Sequence, residues 1–259
     1  MTDESSLRRP VCGLIAAGGS GTRYRNASNS AALDARGKLW EDLGGKPLWE
    51  HSVRALVDHP AIAAVIMAVP KAMLDEFSRA VTRMNLPVRC VLGGAERHDS
   101  VAAMLDAAQE EMLRRVPETT DFGTADFDIA VHDAARPLLH RDDLDRVLAC
   151  AAETGAAFLA TPVTASLHRR VAGGASGSAG GASRAVDRRD LFAAATPQVF
   201  RADWFIEANR RHRGRIATDD VTLMQRSGRD VAIVEGRSDN IKITQAADLE
   251  IARAILGGR

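Results

Sequence analysis

A glycine-rich stretch, Ala16-Ala17-Gly18-Gly19-Ser20-Gly21-Thr22-Arg23, directly follows the first apolar run of the chain. Residues without a Cβ let backbone N–H groups turn inward onto an anion, and Arg23 adds a permanent charge suited to phosphate oxygens. A tight strand-to-loop turn is the plainer reading of the same residues. A Walker loop is excluded, because no Gly-Lys-Ser/Thr follows at the required spacing. A dinucleotide fingerprint fits poorly, since Tyr24 stands where the third glycine belongs.

Further along, Lys38 in Arg36-Gly37-Lys38-Leu39 reads on its own as solvated surface. Gly93-Gly94-Ala95-Glu96-Arg97-His98-Asp99-Ser100 closes another apolar run, and Asp99 or Ser100 can cap a helix or meet a ligand. His98, Asp99 and Ser100 are neighbours in sequence, which is not how a nucleophilic triad is assembled. In Val131-His132-Asp133-Ala134-Ala135-Arg136-Pro137, Asp133 either pairs with Arg136 or holds a divalent cation. Magnesium usually takes one or two carboxylates and fills its other positions with water and substrate phosphates, and the small Ala134 and Ala135 leave room for a ligand. Late clusters are Val186-Asp187-Arg188, Thr196-Pro197-Gln198, Thr218-Asp219-Asp220 and Asn240-Ile241-Lys242-Ile243-Thr244. Thr218-Asp219 is a helix N-cap signal and Thr244 is a second candidate. In a half-buried strand Lys242 would point away from Ile241 and Ile243.

The elements that must position these residues alternate in kind. Strand-length apolar runs lie at Val11–Ala17, Ala61–Val69, Pro87–Leu92, Asp128–Val131, Ala156–Pro162 and Asp230–Val234. Several carry no polar residue, as expected of strands covered on both faces. Between them, Leu48, Val53, Leu56 and Val57 share a helical face, as do Val101, Met104, Leu105 and Ala108, then Leu144, Val147 and Leu148. This alternation predicts an α/β fold, a single doubly wound, mostly parallel sheet. Ligands in such sheets bind at the carboxyl ends of strands, where the polar clusters sit. One segment departs from the pattern: the Gly/Ala/Ser run within Val171–Ser183 is too glycine-rich for a helix or a good strand. Ser166–Val171 and Arg184–Asp187 read as two arms of a hairpin around it, since few strand candidates for a second sheet follow residue 190.

Composition closes off other classes. The chain has 259 residues, 34 basic and 34 acidic side chains, 46% hydrophobic and 26% charged residues, which suits one large α/β domain rather than a disordered chain. Zero net charge removes the global argument for a nucleic-acid partner. The longest uncharged apolar run, Ala61–Val69, is far short of a membrane span, and Asp3 and Glu4 spoil a signal peptide. Cys12, Cys90 and Cys150 match no metal spacing and read as small hydrophobes in a reducing, cytoplasmic setting.

Taken in order, these clusters resemble the 2-C-methyl-D-erythritol 4-phosphate cytidylyltransferases of the non-mevalonate isoprenoid pathway. The likeness runs from about Val11 to Leu256. Its most specific strings are His132-Asp133-Ala134-Ala135-Arg136-Pro137 and Asn240-Ile241-Lys242-Ile243-Thr244. It implies one domain over residues 1–259, of the nucleotide-diphospho-sugar transferase type, with a β-arm at about 164–190. It also implies that Ala16, Ala17, Gly18 and Gly19 hold CTP with Gly94, Ser100, Asp133 and Ala134, and that Asp133 carries Mg²⁺ or another divalent cation. Arg23, Lys38, Arg188 and Lys242 match the catalytic cations. Arg136, Ser166, Arg188, Thr196, Thr218 and Lys242 match positions that receive the methylerythritol phosphate. In the family the arm reaches into a neighbouring subunit, so a homodimer with arm exchange and shared sites is implied, with no nucleic-acid or membrane partner.

The implied chemistry agrees with the residues. A phosphate monoester already ionised near neutrality attacks the α-phosphorus in line and pyrophosphate leaves, so cations matter more than a strong base. This chain departs from the family in an insertion around Asn26–Gly37 and in Gly37-Lys38-Leu39 for the family's Pro-Lys-Gln. Lys46 is therefore the other candidate for the loop lysine. The tip near Gly173–Gly181 is also longer than usual, and Ser166 replaces a common Thr. Alternatives are a cytidylyltransferase for another phosphate such as ribitol 5-phosphate, a nicotinamide-dependent oxidoreductase, against which Tyr24 speaks, and a non-catalytic nucleotide sensor.

Overall fold

The computed structural model describes residues 9–18, 36–94, 97–115, 126–171, 182–215, 217 and 219–258. The first strand, β1 (Val11–Ala16), is followed by a single turn of 3-10 helix at Lys38–Trp40 and the short pair β2 (Asp42–Leu43) and β3 (Lys46–Pro47). Helix α1 (Leu48–Val57) leads to β4 (Ile62–Val69), α2 (Leu74–Arg83) to β5 (Val88–Leu92), and α3 (Arg97–Arg115) precedes β6 (Asp128–Asp133). Then come α4 (Arg141–Thr154), β7 (Ala156–Pro162), the hairpin strands β8 (Leu167–Arg170) and β9 (Ser183–Val186), and β10 (Phe192–Arg201). The chain continues through α5 (Ala202–Arg211), α6 (Asp220–Arg226), β11 (Ala232–Glu235) and α7 (Ala246–Gly257).

Seven strands form one sheet in the order β11-β7-β10-β6-β1-β4-β5. The β1–β4, β1–β6, β4–β5 and β7–β11 pairs are parallel, whereas β10 runs antiparallel to both β6 and β7. Successive side chains on a strand face opposite sides, and both sides here are covered. On β1, Val11 and Ile15 enter one buried cluster with Trp49, Val53 and Leu56 of α1, Phe77 of α2 and Leu144 and Val147 of α4. Cys12 and Leu14 enter the other with Val101 and Met104 of α3, Phe205 of α5 and Leu223 of α6. This two-sided burial explains why the strands read as unbroken apolar runs. It also pushes the Cys12 thiol up to about 12, so this cysteine serves as packing.

All six apolar runs named from sequence became sheet strands. The seventh, β10, was missed: its pairing with β7 jumps from Ala194 to Gln198, and Thr196-Pro197 sits in the jump. A proline argues against an interior strand unless the ladder is interrupted there, as it is in this sheet. The arm was anticipated within a residue or two, β8 pairing with β9 from Leu167↔Val186 to Arg170↔Ser183, while its tip at 172–181 lies outside the described residues. Helix α4 ends on Gly155, whose φ of 82° and whose would-be Cβ, 2.4 Å from the Trp204 ring, both exclude a side chain. No helix among the described residues is long and apolar enough to cross a membrane.

Candidate active site

The carboxyl ends of β1, β4, β5 and β6 meet at one edge of the sheet, and the polar clusters are strung along it. At the end of β1, Ala17 N–H donates to Ala68 O (3.0 Å), while Ala134 N–H donates to Ala16 O (3.2 Å). The start of the glycine loop is thereby clamped between β4 and β6. Ser52, fully buried on α1, donates from Oγ to Ala134 O (2.9 Å) and holds the same turn from behind. At the end of β5, Gly94 N–H donates to Ser100 Oγ (3.1 Å). A Cβ on Gly18 would lie 3.2 Å from that oxygen, and one on Gly94 would fall 2.0 Å from Asp99 Cβ. Gly18 and Gly94 thus both approach Ser100, and at Gly94 there is space for backbone alone. Ser100 lies inside the first turn of α3 rather than capping it.

Asp133 closes β6 and gathers charge. Lys242 Nζ stands 2.8 Å from its Oδ2, Arg136 Nε 3.5 Å from the same oxygen, and Arg97 Nη2 3.9 Å from Oδ1. Burial alone would raise the Asp133 carboxyl, but Lys242, Arg97 and Arg136 together hold it down at about 2. The pair with Arg136 named from sequence forms, and the ionised carboxylate is in the state that a divalent cation requires. Its donor set suits magnesium only as a partial cage. Among the described residues no three His, Cys, Asp or Glu side chains converge, so an ion here would share one carboxylate with phosphate and water oxygens.

Arg97, absent from the sequence-based candidates, donates to Asp220 Oδ2 (2.6 Å) on the first turn of α6 while facing Asp133. Its only sequence signal was membership of the Gly93–Ser100 cluster. Burial pushes the Asp220 carboxyl above the usual carboxylate range, against the pull of Arg97. Asp219, as anticipated, caps α6 by accepting from Thr222 N–H (2.8 Å).

The segment before α7 carries Lys242. It is not a strand, yet the expected alternation holds: Ile243 is buried with Leu43, Leu48 and Leu138, Ile241 packs against them, and Lys242 turns to Asp133. Its anchors are Arg237 N–H to Asp143 Oδ2 (3.0 Å), Arg136 Nη1 to Asn240 O (2.8 Å) and Ile243 N–H to Ala135 O (2.8 Å). Thr244 is not the cap of α7; Gln245 is, in a capping box with Asp248, which also takes the Thr244 hydroxyl at 2.8 Å. Lys38 Nζ donates to Ile243 O (2.9 Å), one residue from Lys242, whereas Lys46 is exposed in β3.

A buried hydrogen-bond chain underlies Asp133. Asp133 N–H donates to Thr196 Oγ1 (3.1 Å), and His132 Nε2 faces Arg136 O (3.1 Å), a carbonyl that can only accept. Complete burial pushes the His132 imidazole down to about 4, so it is neutral, with its proton on Nε2. Nδ1 therefore accepts from the Thr196 hydroxyl at 2.9 Å. Thr196 is 3% exposed.

Of the residues singled out from sequence, the structure brings together Ala16, Ala17, Gly18, Lys38, Gly94, Ser100, Asp133, Ala134, Arg136, Thr196 and Lys242. Ser166 and Arg188 sit exposed at the base of the arm, where neither side chain bonds another described residue. Gly19, Arg23 and Thr218 lie outside the described residues.

This edge, with its ionised aspartate ringed by cations beside a glycine cradle, suits two polyanions. The sequence matches the family described as IspD, 2-C-methyl-D-erythritol 4-phosphate cytidylyltransferase, over residues 11–258. The chain belongs to the IspD family. A 2-C-methyl-D-erythritol 4-phosphate cytidylyltransferase from Rhodopirellula baltica is 39% identical over 245 residues, 94% of this chain and 93% of that protein. The crystal structure of the Thermus thermophilus protein of the same name aligns with a TM-score of 0.69 and 29% identity, covering 96% of this chain and 98% of that one. The 4-diphosphocytidyl-2C-methyl-D-erythritol synthase from Anaerococcus prevotii reaches a TM-score of 0.73 at 20% identity, over 96% and 99% of the two chains, a likeness of fold. The mostly parallel sheet with a protruding arm is thus the IspD fold, and the oxidoreductase reading falls away.

Proposed function

We propose that this protein joins CTP to 2-C-methyl-D-erythritol 4-phosphate, giving 4-diphosphocytidyl-2-C-methyl-D-erythritol and pyrophosphate. Beyond family membership, the observation that carries this reading is Lys242 at 2.8 Å from Asp133, with Lys38 one residue away on Ile243 O. Two lysines, Arg97 and Arg136 meet where the acceptor phosphate and the triphosphate must approach. A phosphate oxygen of the sugar attacks the α-phosphorus in line; the bond to the β-phosphate oxygen breaks and pyrophosphate departs with its negative charge.

In this reading the glycine loop offers backbone N–H groups to CTP, Gly94, whose own N–H is held by Ser100 Oγ, lets the nucleotide approach the backbone closely, and Ser100 and Ala134 wall it. Lys38 and Arg23 stabilise charge gathering on the α-phosphate, each such donor being worth about 2.7–4 kcal/mol in the barrier. Lys242 exchanges Asp133 for the acceptor phosphate and orients it, with Arg136, Thr196 and Thr218 around the sugar. Asp133 would hold magnesium, which when bound neutralises phosphate charge and draws the two substrates together. The exposure of Ser166 and Arg188 supports a homodimer in which the partner's arm completes each site. The chain would then work as one nucleotidyltransferase domain with its arm at about 164–190, in the cytoplasm, its three cysteines being free thiols.

A pyrophosphate-release assay with CTP, Mg²⁺ and either methylerythritol phosphate or ribitol 5-phosphate tests the proposal. Strong preference for the former is expected. Preference for ribitol 5-phosphate would overturn the substrate, and release from neither would overturn the activity.

A further inference from the structure

The hydrogen bonds beneath the site close into a ring. Thr196 Oγ1 donates to His132 Nδ1 (2.9 Å), His132 Nε2 to Arg136 O (3.1 Å), Arg136 Nη1 to Asn240 O (2.8 Å), and Asn240 Nδ2 to Thr196 O (2.9 Å). Three separate segments are joined: the end of β6, the break in β10, and the loop that presents Lys242. The break supplies the opening. Because β10 leaves its ladder between Ala194 and Gln198, Thr196 Oγ1 takes the Asp133 N–H and Asn240 takes the Thr196 carbonyl. His132, Thr196 and Asn240 are 0%, 3% and 6% exposed, so water cannot substitute for a lost partner, and a buried network of this kind fixes one arrangement. Asp133, Arg136 and Lys242 all project from the members of this ring or their near neighbours.

We propose that His132 is a positioning residue, whose two ring nitrogens fix Thr196 and Arg136 and through them register Lys242 against Asp133. It touches no substrate. Its hydroxyl proton committed to His132, Thr196 can offer an incoming ligand only a lone pair, so this threonine orients Asp133 and accepts, but does not donate, toward a sugar. The inference deepens the functional reading above and rests on it for its kinetic test.

His132→Phe keeps most of the ring volume and removes both bonds. Its kcat should fall about 10- to 100-fold, the usual effect of losing a partner that orients a functional group. KM for CTP should stay within about twofold, because the cradle of Gly18, Gly94 and Ser100 is held at the ends of β1 and β5, on the far side of the site from the break in β10. His132→Asn, which keeps an acceptor near Thr196, should recover part of the loss. An unchanged kcat in His132→Phe, or a matching rise in KM for CTP, would overturn the proposal. Should the phenylalanine variant fail to fold, NMR of the wild-type protein with isotope-labelled histidine decides independently of activity. The Nε2–H tautomer with a bare Nδ1 is expected, since Nε2 faces a carbonyl; the Nδ1–H tautomer would overturn the idea. A wild-type protein inactive on CTP and methylerythritol phosphate would sink the functional reading while leaving the tautomer result standing.

Discussion

Acidification should remove a contribution to stability that resides in one imidazole. His132 is completely buried, and its pKa falls from 6.5 to about 4 because burial penalises the charged ring. In the unfolded chain the same ring takes up a proton below about 6.5. Above that pH neither state is protonated and the contribution is fully present. As pH falls, only the unfolded state gains the proton until about 4, so folding weakens throughout this window and the loss then levels off. At about 1.4 kcal/mol per tenfold change in protonation, crossing the window removes roughly 3 kcal/mol. For a chain of this size that is about 6–12 °C in melting temperature. The Asp133 carboxyl, lowered from 3.8 to about 2, acts in a separate, more acidic window. Asp128 and Asp220, raised by burial, work in the opposite sense, and comparison with a variant cancels them. Urea unfolding of the wild type and His132→Phe between about pH 7.5 and 4.5 is the assay. The variant should start less stable but lose much less on acidification. Parallel curves would refute a neutral, buried His132.

Three further outcomes follow from the site. Lys38→Ala should lose about 10²- to 10³-fold in turnover and Lys46→Ala little, because only Lys38 reaches Ile243 O beside Lys242; steady-state kinetics showing the reverse would move the role to Lys46. Arg188→Ala should raise KM for the sugar phosphate more than KM for CTP, with equal effects speaking against an arm that serves the acceptor. Gly94→Ala puts a Cβ 2.0 Å from Asp99 Cβ, so the start of α3 must shift with Ser100 at a cost of about 1–3 kcal/mol; CTP titration should show weakened binding, and unaltered affinity would mean Gly94 does not face the nucleotide.

The sheet was readable from sequence wherever strands are buried on both faces, because there the apolar run is continuous, as in Ala61–Val69. Failure at β10 has the opposite cause. Its middle is polar because it leaves the ladder to serve the site, and period-based reading finds pairing, not departures from it. Asp133, Lys242 and Ser100 were nameable because each stands at the end of an apolar run or between isoleucines. Arg97 was not, since its role depends on two carboxylates, Asp133 and Asp220, brought to it from far along the chain. His132 stood next to the named Asp133, but its importance lies in bonds to Thr196 and Arg136 that no spacing announces. Choosing between Lys38 and Lys46 likewise waited on geometry, as a separation of eight positions says nothing about reach.

The bond from Lys38 Nζ to Ile243 O spans 205 positions of sequence. It fastens the 3-10 turn at Lys38–Trp40 to the segment that carries Lys242, so neither lysine is placed independently of the other. A disturbance of that segment would displace both cations at once while leaving Gly94 seated on Ser100 at the other end of the site.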